Sequence, residues 1–162
     1  MSFNQFIIYD QAYSEKLAAW DNGRFRHGMA WLLARSGDSL FWFIITGWLL
    51  WNQEPLGWRL LTAILIAAVI TATAKGIFKR QRPVEKWAIA TDKYAFPSGH
   101  ASRAAVVAVM LAAALPQVAL VFPLWAFLVS VARVILSRHF LSDVIGGLLL
   151  GYGIGIILLL IW

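Results

Sequence analysis

A chain of 162 residues that is 60% hydrophobic, with a mean hydropathy of +0.70, is too apolar to close an ordinary soluble domain of its length. A net charge of +6 and nine Trp suit the headgroup level of a bilayer; nucleic-acid binding fits the charge less well, because no basic stripe lies on a soluble module. The absence of Cys excludes disulfides and thiolate metal ligands. These bounds predict one all-α integral membrane domain over residues 1–162, without a second domain and without a cleavable signal peptide at Met1–Asp10.

In chain order, Phe3–Trp20 mixes Phe6, Ile7, Leu17 and Trp20 with Asp10, Glu15 and Lys16, as an interfacial helix does. Asp21, Asn22 and Gly23 mark a turn, and Arg24–Arg35 sets Met29, Trp31, Leu32 and Leu33 against Arg24, Arg26, His27 and Arg35. Residues 1–36 thus read as an interfacial collar on a transmembrane bundle formed by residues 39–162. Five spans are predicted there, at about Ser39–Trp51, Trp58–Phe78, Gly99–Leu115, Gln117–Leu136 and Asp143–Trp162. Pro55 places a turn at Asn52–Gly57, Pro116 ends the third span, and Pro123 is expected to kink the fourth. The last span carries Gly147-x3-Gly151-x3-Gly155, a spacing that lets helices approach closely, within the chain first and in a homodimer second.

Three polar clusters interrupt these runs: Lys75–Pro83, Phe96–Arg103 and Arg133–Asp143. Successive spans alternate in direction, so all three clusters are expected at one membrane face. Singly, each residue has an ordinary explanation: Lys79, Arg80, Lys86 and Lys93 as headgroup contacts, Lys75 and Arg103 as snorkelling cations, His100 or His139 as a satisfied interfacial histidine. The set is harder to dismiss. Pro97 and Gly99 shape a tight turn and Ser98 is a natural N-cap, so the third span opens with free backbone N–H groups and a positive dipole end, with His100 beside them. His139 and Asp143, four residues apart, share a helix face, where a carboxylate can hold one imidazole nitrogen and leave the other as a nucleophile or base. Lys75, Arg82 and Arg133 would surround an anion, with the guanidinium groups matched to phosphate oxygens. Two His and an Asp also invite a metal, but cations in the wall argue for an anionic guest.

Lys75-x6-Arg82-Pro83, Pro97-Ser98-Gly99-His100 and Arg133-x5-His139-x3-Asp143 together resemble the three-part signature of the type 2 phosphatidic acid phosphatase superfamily. That group includes lipid phosphate phosphatases, polyprenyl diphosphate phosphatases, glucose-6-phosphatase and, more distantly, vanadium haloperoxidases. The resemblance covers the C-terminal two thirds of the chain. It implies that His139 is the nucleophile that becomes phosphohistidine, that Asp143 orients it, and that His100 protonates the leaving oxygen and later activates water. It implies a phosphate clamp of Lys75, Arg82, Arg133, Ser98 and the Gly99 backbone N–H, with no metal and no cofactor. One departure is Ala132, where the family often has Ser; Ser130 or Ser137 would have to supply any hydroxyl there.

The resemblance implies a membrane lipid phosphate as substrate: phosphatidic acid, phosphatidylglycerol phosphate, a polyprenyl mono- or diphosphate such as undecaprenyl diphosphate, or a phosphorylated lipid A. The chain has no extra domain for a large headgroup, which favours an isoprenoid carrier or glycerophospholipid phosphate. Of the fourteen Lys and Arg only Arg59 lies clearly at the end opposite the clusters, which predicts a site on the cytoplasmic side of the inner membrane, although many relatives work on the outer face. The alternatives are an inactive lipid-phosphate-binding protein, a vanadate-dependent haloperoxidase and a small transporter. The first would tolerate a missing catalytic residue, the second has soluble relatives, and the third would place its ionisable residues near mid-span.

Overall fold

The computed structural model describes residues 3–84 and 92–162, with side chains from Gln5 onward; Glu85 and Lys86 of the predicted basic loop lie outside the described residues. Among the described residues there are seven α-helices and no strand: α1 (Phe3–Ala18), α2 (Arg24–Ser36), α3 (Ser39–Trp51), α4 (Pro55–Phe78), α5 (Gly99–Ala114), α6 (Val121–Ile135) and α7 (Leu141–Ile161). Of the five predicted spans, α4 and α7, with 24 and 21 residues, are long and apolar enough to cross a bilayer; α3, α5 and α6 are shorter apolar helices.

The prolines set the boundaries where they differ from expectation. Pro55 opens α4 instead of sitting in the preceding turn, because its fixed φ and missing N–H suit a first helical position. Pro116 starts a 3-10 turn that ends at Val118, and α6 begins only at Val121. Pro123 therefore stands in the first turn of α6, where its missing N–H breaks no helical bond, and the kink expected of it has no cause.

The bundle is organised around α5, which packs on α4, α6 and α7. Its sequence explains this: Ala101, Ala104, Ala105, Val106, Val107, Ala108 and Met110 are buried, and small side chains let neighbours approach from several sides. Its tightest contact is with α7. A Cβ placed on Gly147 would stand 2.5 Å from the Ser98 carbonyl oxygen, and one on Gly151 only 2.1 Å from that of Ser102. The glycine face of the last helix is thus filled from within the chain, the first of the two expected uses, and a homodimer through it would have to displace α5. The outer faces keep large apolar side chains exposed, among them Val69, Leu124, Phe127, Leu149, Ile156 and Leu160, as a surface that meets hydrocarbon should.

The N-terminal helices are more than a surface collar. Ala30 and Ala34 of α2 are buried against Ala132 of α6, and Leu17 of α1 packs beside Leu141 and Leu148 of α7. Their other faces, with Tyr9, Tyr13, Phe25 and Leu32, remain exposed.

Candidate active site

The alternation of helix directions brings the C-terminal ends of α4 and α6 and the N-terminal ends of α5 and α7 together, so the three polar clusters meet at one end of the bundle. Several long-range hydrogen bonds join them. The Ser98 N–H donates to the Asp143 carbonyl at 2.9 Å, linking the start of α5 to α7. Arg82 donates to the Arg138 carbonyl at 3.1 Å, linking the loop after α4 to that after α6.

A cavity of about 340 Å³ is lined by Arg82, Asp92, His100, Arg133 and Arg138, with Trp31, Ala34, Arg35 and Asp38 closing its α2 side. An adjoining cavity of about 520 Å³ runs from Lys75, His100 and Arg103 along the small side chains of α4, Ala67, Ala68, Thr71, Ala72 and Gly76. Ser98 is fully buried at the N-cap of α5 and its Oγ accepts the Ala101 N–H at 3.5 Å, while Gly99 lines the larger cavity.

The three predicted clamp cations are present, and two of them hold a carboxylate. Asp92 bridges Lys75, through a short ion pair, and Arg82, at 2.6 Å. Burial pushes the Asp92 carboxyl up, but the Lys75 ammonium and the Arg82 guanidinium outweigh it and hold the group below its ordinary value. Arg133 lies on the wall of the smaller cavity with its buried Nε free of any hydrogen-bond partner among the described residues.

His139 is 1% exposed, and neither ring nitrogen has a hydrogen-bond partner among the described residues. Burial first, then the cationic charges of Arg133, Arg82 and Lys75, hold its ring well below the ordinary histidine value, so it is neutral at physiological pH with a lone pair to offer. It borders a third cavity, with Ser137, Phe140 and the α1 residues Gln11 and Ser14, rather than the wall that carries His100. The expected partner Asp143 is close but not bonded: His139 Nδ1 lies 3.7 Å from Oδ2. Both Asp143 oxygens are already engaged. Oδ2 accepts the Phe140 N–H at 2.8 Å, capping the start of α7, and Oδ1 accepts from Arg80 at 2.8 Å.

His100 is placed differently, with its Nε2 2.8 Å from Asp38 Oδ1. That hydrogen bond, more than any other contact, holds the Asp38 carboxyl below its ordinary value. Asp38, Asp92 and Arg80 carry no sequence signal of a place beside these residues. Arg80, expected as a headgroup contact, donates to Asp10 at 2.6 Å as well as to Asp143 and Ser142, tying α1 to α7. Asp10 also accepts the Ser142 N–H at 2.9 Å, and Ser14 accepts the Leu141 N–H at 2.8 Å. An acidic residue on an amphipathic face four residues before a Ser gives no sign of this before the fold is known.

Ala132 is buried against α2, and Ser130 spends its hydroxyl on the Ala126 carbonyl at 2.8 Å. Of the two substitutes for the missing hydroxyl only Ser137 stands near the site, on the cavity beside His139. Among the described residues no group of three His, Asp or Glu side chains is placed to hold a metal ion.

Residues 56–162, well over half of the chain, match the family model of the PAP2 superfamily. The chain belongs to that superfamily. Its fold is shared with the crystal structure of the first transmembrane PAP2 type phosphatidylglycerolphosphate phosphatase from Bacillus subtilis, with a TM-score of 0.82 and 24% identity, covering 98% of this chain and 86% of that one. It is shared also with Aquifex aeolicus LpxE, with a TM-score of 0.76 and 23% identity, covering 91% of this chain and 93% of that one. The match to the PAP2 family model begins at residue 56, so α1 to α3, with Asp10 and Asp38, come from outside it.

Proposed function

We propose that this PAP2 protein is a membrane phosphatase that removes phosphate from a lipid through a phosphohistidine on His139. The observation that carries the reading is a buried, neutral imidazole with both nitrogens unengaged, next to three cationic side chains from three different segments. In the first step a His139 nitrogen lone pair attacks phosphorus, the bond from phosphorus to the lipid oxygen breaks, and His100 gives that oxygen its proton. In the second, His100 takes a proton from water, the hydroxide oxygen bonds to phosphorus, and the phosphorus–nitrogen bond breaks to release inorganic phosphate and neutral His139. Lys75, Arg82 and Arg133, with Ser98 and the Gly99 N–H, hold the phosphoryl oxygens and stabilise their charge as it develops. Asp143 fixes the start of α7 from which His139 is presented. Asp92 occupies two of the clamp cations and gives them up to the phosphate.

The cavity along Ala67, Ala68, Thr71, Ala72 and Gly76 supports a lipid substrate, since it continues from the clamp along an apolar helix face. The substrates proposed for it are a polyprenyl phosphate or diphosphate and a glycerophospholipid phosphate. The helices span the inner membrane as five passes, with the shorter α3, α5 and α6 crossing a bilayer thinned around the bundle. The charge bias supports a site on the cytoplasmic side. Because the chain has no Cys, a single Lys79→Cys variant labelled by an impermeant maleimide in sealed vesicles of known orientation tests that side directly.

The testing experiment is phosphate release by detergent-purified protein in EDTA, across phosphatidic acid, phosphatidylglycerol phosphate, undecaprenyl diphosphate and water-soluble esters. Release that persists in EDTA and is lost in His139→Ala is the expected result. Folded wild-type protein that binds these lipids without releasing phosphate would favour the lipid-binding reading instead.

A further inference from the structure

The turn between α2 and α3 holds a carboxylate where helix physics alone would not put it to this use. Asp38 is the N-cap of α3, with extended φ and ψ of −68° and 146°. An Asp there ordinarily accepts N–H groups of its own helix, a bond worth about 1 kcal/mol. Asp38 makes no such bond. Its Oδ1 is turned to His100 Nε2 at 2.8 Å and its Oδ2 accepts from Arg35 at 3.3 Å.

The turn itself is fastened from three helices. Trp42 of α3 donates to the Ser36 carbonyl at 2.9 Å, Trp125 of α6 to the Ser36 hydroxyl at 2.9 Å, and Arg103 of α5 to the Gly37 carbonyl at 2.9 Å. Arg103 sits three residues after His100, so the helix that carries the histidine also grips the turn that carries its partner. Gly37 is pressed against α6, where an added Cβ would stand 2.7 Å from Val129 Cγ1. Such fastening is how a supporting shell locks the orientation of a reactive side chain.

We infer that Asp38 is a positioning residue for His100, its carboxylate accepting Nε2–H so that the other ring nitrogen delivers the proton to the leaving oxygen. This rests on the acid role given to His100 above. In the imidazolium, Nε2–H stays on Asp38 while the second N–H is transferred. In the neutral ring that follows, Nε2–H remains on Asp38 and the lone pair faces the water to be activated. The site is therefore completed from the N-terminal region, which the family match does not include.

The test compares kcat/KM, which reports only steps up to departure of the leaving group, for an alkyl phosphate and for 4-nitrophenyl phosphate, using the full chain in detergent. Asp38→Asn is expected to lose about 10- to 100-fold on the alkyl ester, the usual cost of removing such a partner, and little on the nitrophenyl ester, whose leaving oxygen needs no proton. Asp38→Glu should restore part of the loss. Gly37→Ala, which displaces the turn but keeps the carboxylate, gives the same selective loss and serves if Asp38→Asn does not fold. Equal losses on both esters, or none on either, in an Asp38→Asn protein that melts like wild type would overturn the inference. His100→Ala measured alongside separates the two layers: selective loss there with an unselective Asp38→Asn sinks only the role of Asp38, whereas unselective loss in His100→Ala removes the acid reading and this inference with it.

Discussion

Each of the two histidines at the head of this bundle has an aspartate near it, and the two pairs are built differently. His100 and Asp38, from elements more than sixty residues apart, meet at 2.8 Å beside an open cavity. His139 and Asp143, one helical turn apart, stand 3.7 Å from each other in a fully buried corner, and the carboxylate is bonded instead to Arg80 and the Phe140 N–H. An imidazole with one nitrogen engaged is suited to moving a proton, because its tautomer is set. One with neither nitrogen engaged, kept neutral by burial and cationic neighbours, is suited to giving an electron pair. On the mechanism proposed above, the contrast would separate acid from nucleophile without any difference in residue type.

The largest expected effect comes from removing the uncommitted ring. His139→Ala should lower turnover by roughly four orders of magnitude or more, as loss of a nucleophile does, with no change in the melting temperature beyond that of a small cavity. A folded variant that still turns over at a tenth of the wild-type rate would break the division of roles. Next in size is a separation of the two corners that touches neither. Gly151→Ala drives a Cβ into the Ser102 carbonyl, to 2.1 Å, and so pushes α7 from α5; overpacking of this kind typically costs about 1–3 kcal/mol. A lower melting temperature together with reduced activity on all substrates is expected, and an unchanged melt would show that the close packing of these helices is not needed.

The pH profile sharpens the comparison further. As the proposed nucleophile His139 would have to be neutral, and its value is held well below 6.5, so activity is expected to persist as pH falls through 6.5 and to fail only below it. An acid limb in kcat/KM at or above 6.5 would mean that the ring is more exposed than the structure places it. The smallest effect is at Asp92, whose carboxylate sits on Lys75 and Arg82, the proposed phosphate clamp. Asp92→Asn should lower KM by several-fold and strengthen inhibition by inorganic phosphate; a raised KM would instead make Asp92 a support for the clamp.

Much of this was legible before any coordinates. Apolar runs bounded by prolines and polar clusters mark helices and their ends, and the i, i+4 spacing of His139 and Asp143 puts them on neighbouring turns. The cationic residues at the ends of alternating runs had to converge, because successive membrane helices reverse direction. The family signature is contained in such local spacings, and so the family, with a candidate clamp and two candidate histidines, could be read from the chain alone. What the spacing could not say is that Asp143 would cap its own helix and bond Arg80 in preference to the nearby imidazole.

The tertiary structure alone decided the partners that cross between elements. Asp38 preceding an apolar run has the look of a simple helix cap, Asp10 of a solvated charge, and Asp92 of loop polarity; each becomes part of the site only once α2, α1 and the loop before α5 are packed against the bundle. The register of that packing is set by close contacts such as Gly151 on the Ser102 carbonyl and Gly37 on Val129. Local chemistry is written in neighbouring residues, because the backbone geometry of a helix fixes how they face. Which distant carboxylate meets which cation or imidazole depends on the fit of whole helices, and a linear spacing carries no measure of that fit.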